Sequence, residues 1–104
     1  MARHSPALIL VHAVWATFRR AKCLRPESDG SLAAIMGSKV IEHGCGVVAV
    51  GIAPDHVHAL LRMSTTCTVA AVVGAMKGVS SRALAMQVDG VPLGWQRGHW
   101  AECA

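Results

Sequence analysis

The chain has no tyrosine and a single phenylalanine among its 104 residues. Chemistry that needs a phenolic hydroxyl as nucleophile therefore has no side chain here to run on. Charge is scarce as well, at 15% Asp, Glu, Lys and Arg against about 25% in an average soluble domain. With 53% apolar residues, a chain this short has limited interior in which to place the excess. Either the core is tightly filled with Ala, Val and Leu, or a second apolar surface is buried against a partner, and a homo-oligomer is the favoured expectation. Cys23, Cys45, Cys67 and Cys103 form no CxxC pair, which argues against a cysteine-only zinc site and for reduced, buried thiols. No apolar run approaches the roughly 18–20 residues needed to cross a bilayer. Pro6 and the strand pattern after it do not suit a signal peptide, so a cytoplasmic protein with no membrane partner is expected.

The cations that are present are unevenly spread. Net charge is only +4 with His neutral, a weak attraction to a polyanion by itself. Arg19, Arg20, Lys22 and Arg25 nevertheless fall close together, with Lys77, Arg82 and Arg97 further along. The cluster reads either as a solvated basic loop or as a phosphate-binding patch.

Residues 7–18 are almost wholly apolar and include Val, Ile, Trp and Phe, which suits a central strand covered on both faces. Residues 19–29 read as a loop ending in a helix cap at Ser28 or Asp29. Leu32, Ile35, Met36, Val40 and Ile41 then recur at helical spacing, with Gly44 as a left-handed stop. Residues 46–53 form a second apolar strand, Pro54-Asp55 a turn, and residues 56–63 a third strand, so the second and third should pair as a hairpin. Ser64, Thr65 and Thr66 offer a cap for a second amphipathic helix carrying Val69, Val72, Val73, Met76, Val79 and Leu84. Gly74 and Gly78 each cost that helix about 1 kcal/mol relative to Ala, a cost tolerated where backbone approaches something closely. Residues 86–94 are loop-like, and residues 95–103 form a last strand. The order β-α-β-β-α-β predicts an α+β, ferredoxin-like (RRM-like) single domain over residues 1–104: one antiparallel sheet with both helices on one face.

Within the third strand stands Pro54-Asp55-His56-Val57-His58-Ala59-Leu60-Leu61. Alternation puts His56 and His58 on one side, roughly 6–7 Å apart along the strand, and leaves Val57 and Ala59 for the core. The pair then lies on the sheet face that the helices leave open. Two neutral imidazoles can converge on one divalent ion, but a firm site needs a third donor. His12, His43, His99, Asp55, Glu42 and Glu102 are the candidates. His12 belongs to the strand expected beside the third, whereas Asp55, next in sequence to His56, is better placed to orient it than to ligate.

Three segments together resemble the single-tyrosine HUH transposases of bacterial insertion sequences, a family that includes the REP-associated tyrosine transposases. His12-Ala13-Val14-Trp15-Ala16-Thr17-Phe18-Arg19-Arg20 is similar to the family's opening strand and its basic end. Pro54 to Leu61 is similar to the HUH motif with an apolar central residue. Lys77-Gly78-Val79-Ser80-Ser81-Arg82, followed by Trp95-Gln96-Arg97-Gly98, resembles the second-helix motif and the turn into the last strand. The matches span nearly the whole chain in order.

The resemblance implies that His56 and His58, with a third polar ligand, hold Mg²⁺ or Mn²⁺ against a scissile phosphate of single-stranded, hairpin DNA, and that the working form is a homodimer. It also implies a tyrosine nucleophile and a further metal ligand, commonly Gln, on a helix after the strand ending near Cys103. Neither is present, and Ser80, Ser81 and Cys103 match no family role. The expectation is a transposase-like domain, C-terminally truncated relative to the family, that binds hairpin DNA through Arg19, Arg20, Lys77, Arg82 and Arg97 but does not cleave it. Trp95 or Trp100 could stack a base. Two other readings stay open: a fragment of an active transposase whose tyrosine helix lies outside this chain, and a small dimeric α+β module with no nucleic-acid role.

Overall fold

The computed structural model of the chain describes residues 9–87 and 94–104. Strand β1 spans Ile9–Ala16, helix α1 Asp29–Glu42, β2 Gly46–Ala53, β3 His56–Met63, helix α2 Val69–Gln87 and β4 Trp100–Cys103. The sheet order is β2-β3-β1-β4, and every neighbouring pair is antiparallel. This is the ferredoxin-like βαββαβ arrangement expected from the sequence.

Strand alternation sorts the sheet into two faces. On one, Val11, Ala13 and Trp15 of β1 and Val57, Ala59, Leu61 and Met63 of β3 are buried together with Leu32, Met36 and Val40 of α1 and Val72, Val73 and Met76 of α2. On the other, His12, Val14, His56 and Leu60 are only partly buried and His58 is exposed. Strand β1 is therefore central, but one of its faces carries no helix, which corrects the expectation that both are covered.

Several local features also differ from expectation. Asp29 has helical dihedrals (φ −58°, ψ −43°), so it is the first residue of α1 and supplies first-turn negative charge rather than a cap. Ile41 is 70% exposed, because the buried row of α1 runs Leu32–Met36–Val40 and leaves Ile41 off its edge. Helix α2 is capped by Thr68, whose Oγ1 accepts from the Ala71 N–H at 3.1 Å. Ser64 instead accepts from the Thr66 N–H at 3.0 Å, inside the preceding turn. Residues 86 and 87 are helical rather than loop, while the Leu84 side chain and residues 7–8 and 88–93 lie outside what is described. Among the described residues, a Cβ at Gly74 or Gly78 would meet nothing within 4 Å, so neither glycine serves a close approach to the sheet. Of the cysteines, all free, only Cys45 is buried; Cys103 is exposed. Gly44 does adopt the left-handed conformation, at φ 74°, and ends α1 as expected.

Candidate functional site

The open face is organised by register. His58 lies opposite Val14, and Val14 opposite Trp100; His56 lies opposite Ala16, and His12 lies between Leu60 and Glu102. Three histidines thus meet where β1 and β3 run side by side. His56 Nε2 is 2.8 Å from His58 Nε2, and His58 Nδ1 is 3.2 Å from His12 Nε2, with the His12 and His58 rings stacked at 11°. Asp55 closes the other end, its Oδ1 2.7 Å from His56 Nδ1.

These contacts admit one assignment of a single proton per ring. With the Asp55 carboxylate as acceptor, His56 carries its proton on Nδ1 and accepts at Nε2. His58 then donates from Nε2 and accepts at Nδ1, from the Nε2–H of His12. The row Asp55–His56–His58–His12 is satisfied with three neutral imidazoles. Partial desolvation, with His56 and His12 alongside, pushes the exposed His58 imidazole below its ordinary value. Asp55 also accepts from Arg20 Nε at 3.0 Å. The hydrogen bond from His56, and secondarily Arg20, hold its carboxyl below the usual carboxylate range.

The same geometry tests the fit to a divalent ion. Cis ligands at about 2.1 Å from an octahedral ion lie about 3 Å apart, so the two Nε2 atoms at 2.8 Å fit one edge of such a polyhedron. His12 does not add a third corner, because it faces the opposite nitrogen of His58. Among the described residues, no group of three or more His, Cys, Asp or Glu side chains is placed to hold a metal. His43 instead lies 3.8 Å from the Cys67 thiol, and Glu42 pairs with Lys39 at 3.2 Å.

The turn carrying Asp55 is held by the end of β1. Thr17, fully buried, donates to the Asp55 carbonyl from its backbone N–H at 2.9 Å and from its hydroxyl at 3.1 Å, and the same hydroxyl lies 2.7 Å from the Ala21 carbonyl. Two residues on from Thr17, Arg19 (φ 56°) and Arg20 (φ 57°) are consecutive left-handed residues, a conformation costing roughly 1–2 kcal/mol each without glycine. The Arg19 N–H donates to Gln96 Oε1 at 3.2 Å, and its guanidinium lies over the Phe18 ring at 5.1 Å. Backbone strain beside the histidine row fits a site whose shape is held by its surroundings.

The two pieces of the third sequence segment form one unit in space. The Trp95 indole N–H donates to the Lys77 carbonyl and to Ser80 Oγ, each at 3.1 Å. Lys77 Nζ donates to the carbonyls of Gln96 and Gly98, each at 2.9 Å, and burial pushes its ammonium below the usual lysine value. The Gln96 N–H donates to the Ala16 carbonyl at 2.8 Å, and the Phe18 N–H to that of Gly94 at 2.7 Å. Helix α2 and the end of β1 therefore clamp residues 94–98 from two sides, which is why β4 begins only at Trp100 and Trp95 makes a single bridge to Thr17.

Of the five cations expected at DNA, Arg19, Arg20 and Arg97 are exposed and gather at the end of the sheet that holds His56. Arg82 is exposed on α2. Lys77 is drawn into the clamp, its ammonium engaged by two carbonyls. Sequence reasoning did not single out Thr17, Gln96 or the placement of Ser80. A buried Thr closing an apolar strand was the one available signal; the other two act through contacts distant in sequence.

Residues 6–103 match the family described as "Transposase IS200 like", and the chain belongs to that family. Two solved structures share its fold. A transposase candidate from Deinococcus radiodurans R1 is 24% identical with a TM-score of 0.85, covering 98% of this chain and 83% of its own. A REP-associated tyrosine transposase bound to a REP hairpin is 13% identical with a TM-score of 0.69, covering 100% of this chain; this chain spans 62% of its length. No curated protein matches.

Proposed function

We propose that this transposase-family domain binds single-stranded DNA folded as a hairpin, on the open face of its sheet. The observation that carries the reading is the row Asp55–His56–His58–His12 on an uncovered face, with Arg19, Arg20 and Arg97 exposed at its end. Membership of the family supports it, as does the hairpin bound by the structurally similar REP-associated transposase. In this reading the three arginines meet phosphates, while Lys77 shapes the turn that presents Arg97 and Arg82 stands on α2, which packs on the covered face of the sheet. His56 and His58 would hold a divalent ion, Mg²⁺ or Mn²⁺, which when bound polarises a phosphoryl oxygen. Asp55 and His12 fix the two rings from either end. The working form is a homodimer in the cytoplasm, which accommodates the exposed Phe18, Ile41 and Val48 side chains.

With no tyrosine among its residues, the chain binds and positions DNA without supplying the phenolic nucleophile that the resemblance implies. A second reading rests on length. Because this chain spans only 62% of the REP-associated transposase, a tyrosine helix encoded beyond residue 104 would make residues 1–104 the binding part of an active enzyme. Reading the encoding DNA past Ala104 in all frames separates the two.

The test is an anisotropy titration with a labelled hairpin, the matching duplex and an unstructured strand across a salt series. Hairpin affinity should exceed the other two and fall steeply with salt, with a log–log slope of about −0.7 per neutralised phosphate in single-stranded regions. Equal affinity for all three would remove the hairpin from the proposal, and no binding at all would leave an α+β interaction module without a nucleic-acid role.

A further inference from the structure

Resting on that reading, we infer that Trp100 is the stacking platform for one unpaired nucleobase, in a cleft beside the histidine row. The cleft is open, about 380 Å³ in volume, and its walls include Val14, Ala16, Gln96, Arg97, His99 and Trp100. That volume lies at the lower end of small-molecule sites. Trp100 starts β4 opposite Val14 and is 52% exposed. An indole that is half bare on a sheet face has apolar area left to cover. Its ring meets His12 at right angles, with centroids 5.8 Å apart and planes at 86°, so the indole is braced on one side while half of the residue remains open to solvent.

The neighbouring charge identifies the occupant. Arg97 on the cleft wall is exposed and, among the described residues, pairs with no carboxylate, so a ligand that places an anion beside a flat apolar ring is complementary on both counts. A nucleotide does this, with its base on the indole and its phosphate on the guanidinium. A neutral sugar or an apolar peptide uses only the ring. Trp95 is not an alternative platform, because it is packed against Trp15 with centroids 6.2 Å apart and its indole N–H is engaged by α2. The stacked base would stand two strand spacings from His58, roughly 10 Å, and therefore on the strand that passes the histidine row.

The experiment pairs a protein change with a ligand change. Wild type, Trp100→Ala and Trp100→Phe are titrated with a hairpin carrying a short single-stranded tail, placed at either end in turn, and with the same hairpin made abasic along the tail. Base removal should weaken wild type and Trp100→Phe by roughly five- to one-hundred-fold. It should change Trp100→Ala by less than about twofold, since the partner is already gone. Base removal that costs Trp100→Ala as much as wild type, or costs neither anything, would overturn the stacking assignment while leaving hairpin binding intact. Failure of wild type to bind any DNA would overturn both.

Discussion

Trp95 donates its indole N–H to the hydroxyl of Ser80 at 3.1 Å, joining α2 to the turn that carries Arg97 across fifteen positions of sequence. Ser80 is fully buried and its hydroxyl in turn donates to the Met76 carbonyl at 2.7 Å. Ser80→Ala leaves the indole with the Lys77 carbonyl alone, and should lower unfolding stability by about 1–2 kcal/mol, read as a shift in denaturant midpoint at constant slope. Lys77→Met removes two further bonds to the turn and should weaken hairpin binding more than its charge alone accounts for. A Lys77→Met variant that loses only the salt dependence of one phosphate contact would show instead that Lys77 meets DNA directly.

Arg19 holds a left-handed backbone at φ 56°, and that conformation separates two substitutions that both delete the guanidinium. Arg19→Ala keeps the steric cost, whereas Arg19→Gly relieves it. The glycine variant should be the more stable by about 1 kcal/mol, and both should lose hairpin affinity alike. Equal thermal midpoints would mean that the turn relaxes once the side chain is gone.

Metal binding should report on His12 without His12 being a ligand. For both Nε2 atoms of His56 and His58 to meet an ion, the His58 proton must move to Nδ1 and the His12 proton from Nε2 to Nδ1, so that His58 Nδ1–H donates to His12 Nε2. Calorimetric titration with Mn²⁺ should show heat for wild type, none for His56→Ala, and affinity lowered about 10- to 100-fold for His12→Ala. Identical traces for wild type and His56→Ala would remove the metal site.

Protonation of His58 is disfavoured in the fold, so in the metal-free protein the unfolded chain takes up its proton first as pH falls. The unfolded state then binds more protons, and stability declines as pH drops below about 6.5 towards the lowered folded value. Melts in chelator between pH 7.5 and 5 should show this decline, and His58→Gln should flatten it. A wild-type midpoint that stays constant over the range would contradict the neutral histidine row.

Much of this fold is legible in the sequence itself. The bounds of β2 and β3 follow from apolar runs broken by Pro54-Asp55, and strand alternation alone puts His56 and His58 opposite Val57 and Ala59. What was not legible depends on contacts between distant residues. Three polar residues at 64–66 could each cap a helix, and only the packing of Val72, Val73 and Met76 starts α2 late enough to make Thr68 the cap. Trp95 has the composition of a strand residue, yet its hydrogen bonds to α2 hold it in the turn and shorten β4. Lys77 reads as an exposed cation until Gln96 and Gly98 are found within reach of its ammonium.

The proposed function stands on the helix-free face of the sheet being the DNA surface. Its most direct test is to titrate a hairpin into isotope-labelled protein and follow backbone and histidine resonances. Perturbations are expected at His12, Val14, His56, His58, Arg97 and Trp100, with the exposed positions Ala34 and Ser38 of α1 unmoved. Perturbations confined to the helices, with the histidine row silent, would contradict it.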